Sequence, residues 1–582
     1  MMYRKPPRLA RGSVLSIVPL AIGALLGASL PAAAQEAEVP AAALPGTFGE
    51  TIDVRVINLE IVVTDRDGNP VHGLGPEDFE LTVDGQPRAI EYFTEIANGR
   101  AERAPEGSDV PSAPAVSPGE DVGTSYLLFV DDFATVQRDR NRVLESMQED
   151  LGFIGPQDRM AVVAYDGKQV QMLSTWSQSH EELERALERA TRRPAYGLQR
   201  EIERNQVEPD LLISVAGGPV GFVDEFPGDS IRLVDQFGQN LGFRTRLSPQ
   251  ERNYASRLTD QVGSAMAAAA ATMRAFARPP GRKVMLVVAG EWPLLPAEYA
   301  VGDNNLAWLY EGVSGGETLY RPLVDTANRL GYTIYPIDAP GLQALSGVSA
   351  ADRTGVEAGF RANASRTREW SVESTLRFVA AATGGEALIN ASREHALQQV
   401  FEDTRSYYWI GFSPSNKGDN ERHDVRLRTV RRDLRLRSRT DYLDLSRTAE
   451  ATMAVESTLL FGLPPGTGTL KAELGEPERS GRRRMQVPVT VFLPMDEFTV
   501  LPQGEKFVTR VELRFAVQDD EGARAPIPVV PLELTLKAQP PAGAVISYET
   551  TLELRPREHD LVIGVHDPVT GRLLSTTAHV KP

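Results

Sequence analysis

From Ser125 onward the chain repeats one hydrophobic pattern. A short, continuous apolar run is followed by a segment whose apolar residues fall three or four apart. The runs are Tyr126–Val130 (YLLFV), Arg159–Tyr165 (RMAVVAY), Lys283–Ala289 (KVMLVVA), Tyr332–Ile337 (YTIYPI), the brief Ala387–Ile389 and Tyr407–Phe412 (YYWIGF). A strand apolar at every position is covered on both faces, as in a parallel sheet. Between the runs, Val143, Met147 and Leu151 mark a helix, as do Leu183 and Leu187 within 180–191. Further helical segments are the alanine-rich 264–277, Leu323 to Leu330, 376–382 and 395–404. Gln169–Leu173 reads as a short edge partner. Repeated strand–helix–strand units close through right-handed crossovers, so residues 123–415 are expected to form an α/β domain with a doubly wound, mostly parallel sheet.

The flanks have another rhythm. Val54, Val56, Leu59, Ile61 and Val63 alternate roughly in and out. After the turn 65–70 come Phe79, Leu81 and Val83, then Ile90, Tyr92 and Phe93. This predicts a small β-sandwich-like domain over 50–97. The turn contains Asp65 and Asp67, which read as hairpin residues rather than calcium ligands. Residues 98–122, rich in Pro, Ser, Ala, Gly and Glu, read as a linker. Residues 416–445 read as a basic β-hairpin carrying Arg426, Arg428, Arg431, Arg432, Arg435, Arg437 and Arg439. From 449 to 582 no helix pattern emerges. Strands at 487–492, 508–517, 532–536, 550–554 and 561–565 predict a second β-sandwich. Segments 192–250 and 291–318 exceed ordinary connections and read as insertions over strand ends; 340–369 is a further polar interruption.

The N-terminus supplies an address. Arg4, Lys5, Arg8 and Arg11 precede the apolar run Val14–Leu30, and Ala32–Ala34 ends it in small residues. That layout reads as a cleaved secretory signal over 1–34 rather than an uncleaved membrane anchor, so the mature protein is expected in the periplasm or outside the cell with no later membrane span. The net charge of -17 argues against general nucleic-acid binding. The chain has no cysteine, so disulfides, thiolate metal sites and thiol nucleophiles are excluded.

Several pieces in order resemble the von Willebrand factor type A-related exported proteins of acidobacteria. They are VVTDRDGNPVHGLGPEDFELTVDGQPRAIEYF at 62–93, YLLFVDDF at 126, GPQDRMAVVAYDG at 155, ANRLGYTIYPIDAPGL at 327, TLRFVAAATGGEALIN at 375 and YYWIGFSP at 407, followed by Arg439–Tyr442. The resemblance covers about 50–445 and implies a Rossmann-like type A domain. Such domains hold a divalent cation at the carboxyl ends of the strands, through Asp-x-Ser-x-Ser, a loop threonine and an aspartate after the fourth strand. Here Asp131 matches the first aspartate and Thr135 replaces the second serine, but Phe133 stands at the first serine. Ala289 stands where an aspartate would precede Gly290, and Glu291 is the nearest substitute. The resemblance therefore implies a degenerate ion site of Asp131, Thr135 and Glu291, holding Mg²⁺ or Ca²⁺ weakly at most. Beside it lies a partner-binding rim of Asp132, Phe133 and Trp292.

The seven histidines include no H-E-x-x-H, and no phosphate-binding glycine loop occurs. His559-Asp560 and His566-Asp567 read as surface strand and turn positions. The expectation is a non-enzymatic protein, without a cofactor, that binds a protein or cell-envelope partner through its strand-end loops. The alternatives are an extracytoplasmic enzyme with a site in the insertions, or an envelope scaffold.

Overall fold

The computed structural model describes residues 56–581 except 103–109, 113–116, 208–219, 223–230, 236–239, 245–248, 278–280, 302–314, 341–355, 391–394, 415–417, 462–467, 481–483, 505 and 521–523. The expected signal segment 1–34 lies outside the described residues. The chain divides into two compact units, Ile57–Gly466 and the portion from Thr467 onward.

The first unit opens with strands β1 (Ile57–Thr64), β2 (Phe79–Val83) and β3 (Tyr92–Ala97). An α/β layer follows: β4 (Thr124–Asp131), α1 (Gln137–Glu149), β5 (Arg159–Tyr165), β6 (Val170–Ser177), α2 (His180–Thr191), α3 (Gly197–Val207), α4 (Pro249–Ala275), β7 (Arg282–Ala289), α5 (Glu317–Leu330), β8 (Tyr332–Asp338), α6 (Val356–Thr383) and α7 (Ala396–Thr404). Its sheet runs β8-β7-β4-β5-β6. Neighbours among β8, β7, β4 and β5 are parallel, and β6 is an antiparallel edge. Leu388 adds a single parallel bridge to Ile337 rather than a sixth strand.

Strand side chains alternate between faces, so β4 feeds two cores at once. Leu127 and Phe129 face α4, α5 and α6, whereas Tyr126, Leu128 and Val130 face α1, α2 and α7. Helix α4 begins at Pro249, well before the expected 264. Its buried Ala265, Ala268, Ala269, Ala270 and Ala271 combine high helix propensity with side chains small enough for close packing.

The segments after α7 depart from the sequence expectation. Strand β9 (Tyr407–Phe412) does not join the parallel sheet; it pairs antiparallel between β1 and β3. The stretch 416–445 is not a separate hairpin. Its strand β10 (Arg422–Thr429) pairs with β2 and with β12 (Asp441–Leu443), whereas β11 (Arg435–Arg437) pairs with β1. Two sheets thus enclose one core containing Leu59, Ile61, Phe79, Leu81, Phe93, Tyr408, Ile410 and Val425. The outer face of β9 turns toward the α/β layer, where the Arg282 guanidinium lies 4.3 Å above the Tyr407 ring and donates to the Thr404 carbonyl. The expected linker is also pinned where described: Ala101 N donates to Glu120 O, and Phe93 N to Pro111 O.

Residues Arg447–Phe461, expected to begin a sandwich, form helix α8 of the first unit. Arg274 of α4 holds it through Glu456 (3.2 Å) and Ser457 (2.7 Å). The second unit has six long strands: β13 (Met485–Pro494), β14 (Lys506–Asp519), β15 (Val529–Leu536), β16 (Val545–Leu554), β17 (His559–His566) and β18 (Leu573–Val580). They lie in two sheets that share a core of Val487, Val489, Val491, Leu513, Phe515, Ile563 and Val565. Among the described residues no helix is long and apolar enough to cross a membrane.

Because β9 has both neighbours in the N-terminal segment, a chain of residues 124–461 leaves β9 and β11 without partners and β10 with β12 alone. We expect it to lose the single cooperative melt of a chain of residues 56–461, read by circular dichroism. Equal melts for the two would contradict the pairing.

Candidate functional site

The carboxyl end of β4 carries Asp131 into an apolar interior. An ionised carboxylate there requires hydrogen-bond donors, and three are present. Phe133 N and Ala134 N each donate to Asp131 Oδ1 at 3.1 Å, in the local turn that aspartates favour. The Trp292 indole Nε1 donates to Oδ2 at 2.8 Å. Thr135 Oγ1 turns away from the carboxylate and donates to the Asp131 carbonyl at 2.6 Å. Burial pushes the Asp131 carboxyl up to about 6, against the opposing effects of the Trp292 and Ala134 bonds and of the Arg200 charge.

Gly290 lets the β7 end approach. A Cβ there would sit 2.0 Å from Ala134 O, and Glu291 N donates to that same carbonyl. Glu291 is then engaged elsewhere. It accepts from Arg204 Nη1, Tyr299 OH (2.8 Å) and Arg200 Nε (3.3 Å). Helix α3, at the start of the first insertion, supplies both arginines. It is anchored by Tyr196 N to Asp132 O and Gly197 N to Thr135 O. Gly197 is needed there because a Cβ would meet Thr135 backbone at 2.5 Å. The Arg200 guanidinium lies 4.4 Å over the Phe133 ring and also donates to Gln261.

The structure therefore brings Asp131 and Thr135 together, but through a backbone carbonyl, and ties Glu291 to arginines. The three do not converge as a ligand set. The expected rim is corrected as well. Asp132 is fully buried between Arg140 Nη1 and Arg193 Nε, each at 2.5 Å. Trp292 is buried against Tyr320, because its N–H serves Asp131. Only Phe133 is part-exposed. The residues that sequence reasoning missed are Arg200 and Arg204. The one local signal is their spacing, four apart on one face of the helix that begins the insertion, where both pair with Glu291 rather than Asp131.

Other expected positions are structural. Asp65 accepts from Asp67 N and Asn69 N at 2.9 Å, closing a turn. His559 bonds the Arg557 carbonyl and His566 bonds Glu512, so the two histidines do not pair. In the N-terminal sandwich, His423 bonds Asp84 Oδ2 through Nδ1 (2.8 Å) and Asp419 Oδ2 through Nε2 (3.1 Å), a grouping the sequence reading passed over.

No family model matches the chain, and no curated protein matches it. Among solved structures, it is similar to a Bacteroides uniformis beta-glucuronidase at 11% identity and a TM-score of 0.14, over 30% of this chain and 19% of that one. Bacteroides uniformis beta-glucuronidase 2, covalently bound to cyclophellitol-6-carboxylate aziridine, gives 11% and 0.14 over 31% and 19%. The chain thus spans about a fifth of either enzyme, and likeness at that TM-score defines neither fold nor activity.

Because the folded protein holds the Asp131 proton more tightly than the unfolded chain, this site stabilises the fold most at low pH. That contribution is lost as pH rises from about 4 to about 6. The full difference is on the order of 3 kcal/mol. The stability gap between wild type and Asp131→Asn, read by denaturant unfolding from pH 4 to pH 7, is expected to move in the variant's favour by that order. Parallel curves would show that Asp131 ionises as it does in the unfolded chain.

Proposed function

We propose that the chain is exported and that its α/β layer is a von Willebrand factor type A-like module. It binds a protein or cell-envelope partner without a bridging metal ion and catalyses no reaction. The strand order, with an antiparallel edge and helices on both faces, supports the type A reading. In that reading, partners meet the carboxyl ends of the strands, where open α/β sheets take their ligands.

The observation that carries the proposal is the cover over that end. Asp131 is satisfied internally, so a partner's carboxylate has no ion to complete. Contact passes instead to the outer side of α3. There Leu198 is 58% and Ile202 51% exposed, four residues apart on one helical face, while Arg200 and Arg204 point inward. Paired exposed aliphatics beside a fixed polar network suit a protein surface better than a small polar substrate.

The test uses the mature chain immobilised against envelope extract, with wild type and Leu198→Glu/Ile202→Glu side by side. Both positions are exposed, so the melting temperature should stay within a degree or two. Specific capture should fall at least tenfold, with or without EDTA. An unchanged captured set, or capture abolished by EDTA, would overturn the reading.

A further inference from the structure

We propose that Asp419, His423 and Asp444 form a binding site for a divalent metal ion of the zinc class, with Asp84 orienting the histidine. The site lies in the N-terminal sandwich and stands apart from the partner reading above.

Strand β10 places His423 directly across from Tyr442 of β12. The chain on either side then closes a small ring. Gly418 N donates to Asp444 Oδ2 at 2.8 Å, Asn420 N donates to Asp444 O, and Asp444 N donates to Glu421 O. As a result one ligand atom each from Asp419, His423 and Asp444 lies within 4.8 Å of the others. From there a modest side-chain rotation brings all three onto a common ion at roughly 2.0–2.2 Å, the distance of imidazole and carboxylate ligands.

The histidine is set up as a ligand. Asp84 occupies its Nδ1 and is itself fixed, because its Oδ1 accepts from Asp424 N at 2.9 Å. A carboxylate on Nδ1 stabilises the tautomer whose Nε2 lone pair faces the metal, an arrangement common among metal-binding histidines. Nε2 here faces the Asp419 carboxylate. A separate observation comes from Tyr442. Its ring stacks on the imidazole at 5.0 Å, and it is 1% exposed. Its buried hydroxyl has no hydrogen-bond partner among the described residues, and it lies in the field of Asp444, Asp84 and Asp419. A metal-bound water would give that hydroxyl its partner.

The donor set selects the ion. One imidazole nitrogen with carboxylates suits Zn²⁺ or a neighbouring transition ion, whereas Mg²⁺ and Ca²⁺ prefer oxygen alone. In a chain without cysteine, such an ion staples the Asp84 turn to β10 and to the segment after β12, residues more than 330 positions apart in sequence.

Full-length chain stripped with EDTA should take up one equivalent of Zn²⁺ in isothermal titration calorimetry, and loading should raise its melting temperature. Excess Mg²⁺ should not displace the ion. Asp419→Asn and His423→Gln should each abolish that equivalent, and Asp84→Asn should weaken it 10- to 100-fold. If His423→Gln fails to fold, Asp419→Asn, whose carboxylate is partly solvent-exposed, decides the matter with X-ray absorption of the Zn²⁺-loaded wild type. The expected spectrum has one imidazole and carboxylate oxygens. Zn²⁺ uptake by Asp419→Asn equal to that of the wild type, or a spectrum without imidazole, would overturn the proposal.

Discussion

A carboxylate at the end of a strand buried on both faces must be neutralised or fully hydrogen-bonded. Asp131 is that carboxylate, and much of the first unit is arranged around it. The turn after β4 offers two backbone N–H groups, β7 delivers Trp292 through the close approach at Gly290, and α3 sets Arg200 over Phe133. Losing the Trp292 N–H or either backbone donor would leave a buried charge short of a donor, a larger penalty than the gain from an average hydrogen bond. An indole N–H fills one carboxylate oxygen here, and an arginine stacks on the residue beside it. The end of the sheet is thereby sealed with protein groups.

The sealing spreads outward through charge pairs. Asp132 faces the opposite way and is buried between Arg140 and Arg193, which bind α1 and the end of α2 to the same turn. Glu291 gathers Arg200, Arg204 and Tyr299 and so fastens α3. Two neighbouring carboxylates thus hold separate sets of cations, and helix α3 becomes a fixed lid whose outer face alone meets solvent. Desolvated pairs of this kind specify geometry more than they add stability.

The four parallel strands were legible because a strand covered on both faces leaves an unbroken apolar run, and each run at 126, 159, 283 and 332 is such a strand. The run at 407 has the same look but lies between antiparallel neighbours, with Tyr408, Ile410 and Phe412 on one face and Tyr407 and Trp409 on the other. Composition reports burial, not the pairing partner, and its partners lie over three hundred residues away. Helix α8 was hidden because TAEATMAVESTLL mixes alanine, threonine and methionine without a clear apolar stripe. At the strand end, the loss of serine and aspartate could be read, but the donors that replaced them could not. Arg200 and Trp292 reach Asp131 and its neighbours from insertions whose path no local pattern encodes.

The Asp131 carboxylate is held by Trp292 and backbone donors, and in the proposed function it takes no metal ion. The Trp292 indole N–H resonance, assigned by its loss in Trp292→Phe, reports on this directly during a Mg²⁺ titration. The expected outcome is a hydrogen-bonded resonance that stays in place up to millimolar Mg²⁺. A saturable shift that disappears in Asp131→Ala would contradict it.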